Sequence, residues 1–174
     1  MASQNDSSLV YSLKDLSLLL ASTAPFVPAM LLGSLLESLH DQARTNKSDD
    51  CGDKSSLSSC NASLSCSLEL MLALMANNEA AEAFLSASLD PADPFWICFI
   101  QSQIASPDPM LSRPSAQIML FTVRSCTLHA LQSFGGHTVQ IVSKVLADPT
   151  VAPADEHHTI TLVEIIQAIV ESGE

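Results

Sequence analysis

The chain has 174 residues, 47% hydrophobic and 15% charged, with 7 Lys+Arg against 19 Asp+Glu. That length and apolar content support a real core and exclude a chain disordered throughout. The acidic excess repels phosphate backbones and anionic bilayers, which argues against direct nucleic-acid binding and favours a basic protein surface or peptide as partner. Plain solubility accounts for the same charge equally well.

Met1 to Asp6 is a polar lead-in. Ser7 or Ser8 caps a first predicted helix to about Ala21, with Leu9, Leu13, Leu16 and Leu20 as its buried stripe. The uncharged run from Leu16 to Leu36 invites a test for a membrane span. Pro25 and Pro28 interrupt it, and two helices joined by a proline turn explain it better. The second helix is predicted from Val27 to Gln42, with Leu31, Leu32, Leu35, Leu36 and Leu39 inward.

Residues 44–65 change in kind. A polar run leads into a low-complexity mixture of Ser, Leu and Cys. The expectation is one all-α domain over 1–174, carrying a disordered Ser-rich internal loop over 44–65. Its serines are candidate phosphate acceptors, although an inert insertion weighs more.

Helical character resumes at Ser67, with Leu68, Met71, Leu72 and Met75 as a stripe. Asn77 or Asn78 breaks that helix or caps the next, which continues to about Leu89. Asp93-Pro94 opens a helix filled by Trp96, Phe99, Ile100 and Ile104 and ended by Pro107 and Pro109. A long helix is then predicted from Ser112–Pro114 onward. Leu120, Val123, Thr127, Leu131 and Phe134 form its buried face, and Gly135-Gly136 serve as a left-handed stop. A short helix follows from Val139 to Leu146. The last helix runs from Thr161 to Glu171, with Thr161 and Glu164 at capping-box spacing.

Candidate chemistry is thin. Asp155-Glu156-His157-His158 gathers metal-ligand residue types, but adjacent helical side chains diverge and HExxH spacing is absent. A polar loop is the better account. His129 lies three residues after Cys126, close enough to share a helix face, yet nothing supplies an oxyanion hole. Gly135-Gly136 lacks the GxxxxGK[ST] pattern, and no GxSxG elbow occurs. Trp96 and Phe99 read as core before they read as an exposed anchor. Five cysteines, an odd number without CxxC, fit a reducing compartment. With no signal-peptide pattern, the expected location is intracellular, cytoplasmic or nuclear, and the sequons at Asn5, Asn46 and Asn61 are discounted.

Val123-Arg124, Cys126, Ala130-Leu131 and Gly135 resemble the "V-R-x-x-A-x-x-A-L-G" run of a HEAT second helix. Residues 72–81 look like the helix crossing of an armadillo unit. In HEAT units an aspartate-proline turn lies just before the Val-Arg pair, whereas here Asp108-Pro109 lies farther upstream. The resemblance implies an all-α armadillo/HEAT-like α-solenoid of stacked antiparallel helical hairpins, with seven or eight helices.

The function expected of such a chain is a non-catalytic protein-protein interaction scaffold or adaptor, or a segment of a longer solenoid. No catalytic, cofactor or metal residue is assigned, and no cofactor is expected. One alternative is a compact helical bundle that acts as a regulatory subunit and binds an amphipathic helix in a groove. Another is a small metal-dependent enzyme using His157 and His158.

Overall fold

A computed structural model describes residues 26–45, 54–90, 93–148 and 155–172. The first predicted helix, from Ser7 to Ala21, lies outside them. Every element among the described residues is helical: α1 Phe26–Thr45, α2 Lys54–Leu74, α3 Asn78–Ser88, α4 Phe95–Ile104, α5 Pro109–Ser125, α6 Leu128–Ala147 and α7 Glu156–Ser172. None of these helices is long and apolar enough to cross a membrane. The chain divides into two compact units between Phe84 and Leu85.

In the first unit α1 packs on α2. Leu32, Leu36 and Leu39 are buried, as the i, i+4, i+7 spacing requires, while Leu31 turns outward at 42% exposure. The helix α2 begins at Lys54, so the expected disordered loop over 44–65 is corrected along much of its length. Arg44 and Thr45 close α1, residues 54–65 are helical, and 46–53 lie outside the described residues. The reason is legible in retrospect. Leu57, Leu64 and Met71 recur every seven residues, and serine is tolerated within a helix at small cost. Asn77 caps α3: its Oδ1 accepts the Ala80 amide at 3.1 Å.

In the second unit the helix starts follow local chemistry closely. The Asp93 carboxylate accepts the Phe95 amide at 3.2 Å where α4 opens. Asp108 caps α5 by accepting the Met110 amide at 3.0 Å, with Pro109 in the first turn.

The long predicted helix is really two. It ends at Ser125, and Thr127 becomes the N-cap of α6, its Oγ1 accepting the Ala130 amide at 3.3 Å. Thr127 is therefore exposed rather than part of a buried stripe. The quoted HEAT-like run straddles this junction instead of lying on one helix. Gly135 and Gly136 do not stop a helix either. Both lie inside α6, and no glycine among the described residues has positive φ.

The last helix likewise starts five residues earlier than predicted. The Asp155 carboxylate accepts the His158 amide at 2.8 Å and outcompetes the Thr161 site as cap. Thr161 is instead a buried interior residue, its hydroxyl donating to the His157 carbonyl at 3.0 Å.

The four helices of this unit form a ring of contacts: α4 with α5, α5 with α7, α7 with α6, and α6 with α4. Two ion pairs join α5 to α7, Arg113–Asp155 at 2.8 Å and Arg124–Glu164 at 3.1 Å. Both pairs rise in the same chain order, so α5 and α7 lie side by side and run parallel. Ile118 and Met119 of α5 and Leu162 and Ile165 of α7 are fully buried. The Gln101 amide donates to the Thr138 hydroxyl at 2.9 Å, tying α4 to α6 within the core. Between α6 and α7 the helices approach closely at Gly135, where a Cβ would meet the Ile169 methyl at 3.3 Å.

Two substitutions test this arrangement. Gly136 has helical backbone and open space around its Cβ position. Gly136→Ala should raise stability by about 0.4–1 kcal/mol, read from urea unfolding followed by the lone tryptophan, Trp96. A loss instead would restore the left-handed cap. Leu162→Ala should cost about 2–5 kcal/mol in the same measurement, and a change under about 0.5 kcal/mol would place Leu162 at the surface.

Candidate functional site: the α5/α7 groove

The spacing of Arg113, Gln117, Leu120, Phe121 and Arg124 puts these residues on one face of α5. His157, Thr161, Glu164, Ala168 and Glu171 share the adjoining face of α7. Between the two faces lie adjoining open clefts of about 320 and 450 Å³. Gln117, Leu120, Phe121, His157 and Thr161 line the first, Gln167, Ala168, Glu171 and Ser172 line the second, and the Arg124–Glu164 pair belongs to both. Leu120 and Phe121 are half-buried and give the first cleft its apolar surface. Gln167 donates to the Glu171 carboxylate at 2.7 Å along the second. Arg124 and Glu164 are 57% and 40% exposed, so their pairing is screened and exchangeable with a ligand's charges.

Behind the groove's N-terminal end sits His158. It is 4% exposed, and neither ring nitrogen has a hydrogen-bond partner among the described residues. Burial pushes its pKa below the ordinary histidine range, and the Arg113 guanidinium acts in the same direction against a weaker pull from Asp155. The Asp155 carboxyl is held below the usual carboxylate range chiefly by the His158 amide it accepts; desolvation opposes this next, and Arg113 and the two histidines add further lowering.

The structure separates the residues that sequence spacing had grouped. His157 is exposed at the groove, while His158 points into the core one residue later. Among the described residues no three His, Cys, Asp or Glu side chains are placed to hold a metal ion. Cys126 ends α5 and His129 sits in the first turn of α6, so they share no helix face. The Cys126 thiol donates to the Val123 carbonyl at 3.5 Å, and burial raises its pKa, which disfavours the thiolate. Trp96 is buried, with its ring centroid 5.0 Å from Phe95 and 5.9 Å from the half-buried Phe99. His137 lies exposed on α6, away from any helix end.

Sequence reasoning missed the groove residues on α5. Their shared face was readable from spacing, but nothing in the sequence indicated that α7 would lie beside it. Comparison with protein-family models, curated proteins and solved structures finds no match.

His158 gives the second unit a specific acid sensitivity. The unfolded chain protonates this ring near pH 6.5, the folded chain only at lower pH. Stability is therefore full above about pH 6.5 and is lost as pH falls below that value toward the depressed folded pKa. The thermal midpoint should fall between pH 7 and 5, and His158→Leu should flatten that part of the profile. An unchanged slope in the variant would assign the sensitivity to other groups. The Asp155 contribution falls lower, in the carboxylate range, where its depressed folded pKa means stability is lost on acidification.

Proposed function

We propose that this protein is a non-catalytic scaffold or adaptor, and that the α5/α7 groove takes a segment of a partner protein. The observation that carries this reading is the groove itself: an open apolar and polar channel along two parallel helices, with an exposed, exchangeable ion pair at its centre. Side chains of a partner segment can rest on Leu120 and Phe121 while a cationic residue reaches Glu164 or Glu171. The overall charge favours a basic segment, because Arg113, Arg124 and Lys144 face nine acidic residues over 85–174.

The order of packing supports stacked hairpins over an up-down bundle. In an up-down four-helix bundle, consecutive helices are neighbours and alternate ones are diagonal. Here α5 and α6 are joined by only Cys126 and Thr127 yet do not pack extensively, whereas α5 and α7 do. The hairpin α4/α5 thus lies on the hairpin α6/α7, second helix on second helix, which is how solenoid units stack. An exposed ridge of parallel second helices is the surface such stacks offer to partners.

A photoreactive residue at Gln117, in the groove, should crosslink a defined protein from a cell extract. The same residue at Gln132, on the exposed face of α6, should not. Phe121→Ala together with Arg124→Glu should reduce capture at least tenfold while helix content stays unchanged. Equal capture from both positions, or capture indifferent to the double variant, would remove the groove as the binding surface. Turnover of a substrate that depends on His157 and one bound equivalent of zinc would replace the scaffold reading with a metal enzyme.

A further inference from the structure

Among residues 156–160, where α7 begins, His158 alone is buried. Glu156, His157 and Ile160 are exposed, and Thr159 is half-buried. The helix is anchored farther on, by the fully buried Leu162 and Ile165. Unwinding the first turn therefore gives up the burial of one side chain, and that side chain gains partners by leaving. Neither ring nitrogen of His158 has a hydrogen bond in the core, and water satisfies both. Asp155 is what keeps the turn closed. One carboxylate oxygen accepts the His158 amide at 2.8 Å, and the other pairs with Arg113 at 2.8 Å. The Asp155 carbonyl accepts the Thr159 amide at 3.1 Å.

A protonated ring has no place in this setting. Both of its N–H groups need acceptors, and the two Asp155 oxygens are already engaged. The ring also sits in the first turn of α7, where the helix amides carry partial positive charge. The charged and titratable groups on the helices around it are few. From α5 they are Asp108, Arg113 and Arg124. From α6 they are His129, His137 and Lys144, all exposed, with Asp148 at its end. Glu156, His157 and Glu164 lie on α7 itself, and residues 149–154 contain no titratable side chain. Burial opposes a cation at His158 most strongly, Arg113 adds to this, and Asp155 offsets part of it.

The same turn is part of the groove. His157 and Thr161 line its first cleft, and the Thr161 hydroxyl donates to the His157 carbonyl at 3.0 Å. Gln167, Ala168, Glu171 and Ser172 of the second cleft lie beyond the Leu162 and Ile165 anchor. We propose that His158 is a proton-operated latch on the α5/α7 groove: on taking up a proton the ring leaves the core, the first turn of α7 unwinds, and the first cleft loses the wall formed by His157 and Thr161. The open ring protonates near pH 6.5, so opening grows as pH falls below that value. A segment seated in the first cleft holds the turn closed, and acid in turn releases the segment. That use of the latch rests on the scaffold reading above, whereas the unwinding itself needs no partner.

The test is amide hydrogen exchange of the full chain, resolved by residue with NMR and divided by intrinsic exchange rates. Between pH 7 and pH 5 the amides of His158 to Thr161 should lose protection tenfold or more. The ceiling, for a ring that stays neutral while closed, is about 25-fold. Amides of Ile166 to Ile169 should change less than twofold. Asp155 stays ionised through this range, because its carboxyl titrates lower than usual. In His158→Leu the first-turn protection should be the same at both pH values. Asp155→Ala should lower it at least tenfold already at pH 7, with Ile166 to Ile169 unaffected. Equal loss along the whole of α7 would make the effect global unfolding and overturn the latch. So would unchanged first-turn protection, or the same acid loss in His158→Leu. Failure of crosslinking at Gln117 with the first-turn opening intact would strike the scaffold reading alone.

Discussion

The parallel pairing of α5 and α7 is the constraint on which the second unit depends. Each helix brings fully buried aliphatic side chains to the core, Ile118 and Met119 from one, Leu162 and Ile165 from the other. Removing such surface from water stabilises by about 1.5–3 kcal/mol per side chain, far more than either exposed ion pair contributes. The ion pairs have a different consequence. Arg113–Asp155 and Arg124–Glu164 fix direction and register, because only a parallel pair at this offset satisfies both. The two-residue link keeps the start of α6 close to the end of α5, and α6 packs on α4 and α7. Gly135 then permits the close approach to Ile169 that a side chain would crowd.

The same burial decides which chemistry is open to the chain. It draws His158 into the core and leaves His157 at the surface, so the one sequence cluster of ligand types is split. It places Cys126 at a helix end where burial favours the thiol over the thiolate. Polar groups that enter the core are committed to packing, as Gln101 and Thr138 are to each other. What the second unit presents outward is the α5/α7 groove with its exchangeable ion pair.

By itself the sequence determined that the described chain is helical, and it determined several helix starts. Asn77 caps α3, and Asp93, one residue before the Pro94 N-cap of α4, accepts the Phe95 amide. Both stand where a short polar side chain precedes an apolar periodic run. Helix α5 instead starts at its Asp108 cap, ahead of the Ser112–Pro114 start expected from the sequence. Leu32, Leu36 and Leu39 are buried because their spacing admits one apolar face. Periodicity was ambiguous where two helices of compatible phase abut. Val123, Leu131 and Phe134 are all buried, yet the chain breaks between them, because Thr127 caps a new helix while the hydrophobic count runs on. The glycine pair misled for the complementary reason. A glycine ends a helix only if the chain needs positive φ there, and packing of α6 against α7 uses Gly135 for its small size instead. The serine-rich start of α2 was read from its composition, which hides a seven-residue leucine spacing. Only the tertiary structure decided that α5 lies beside α7, because that contact joins residues some forty positions apart through side chains that carry no mark of their partner. The groove follows from that pairing, and the buried imidazole of His158 lies behind it.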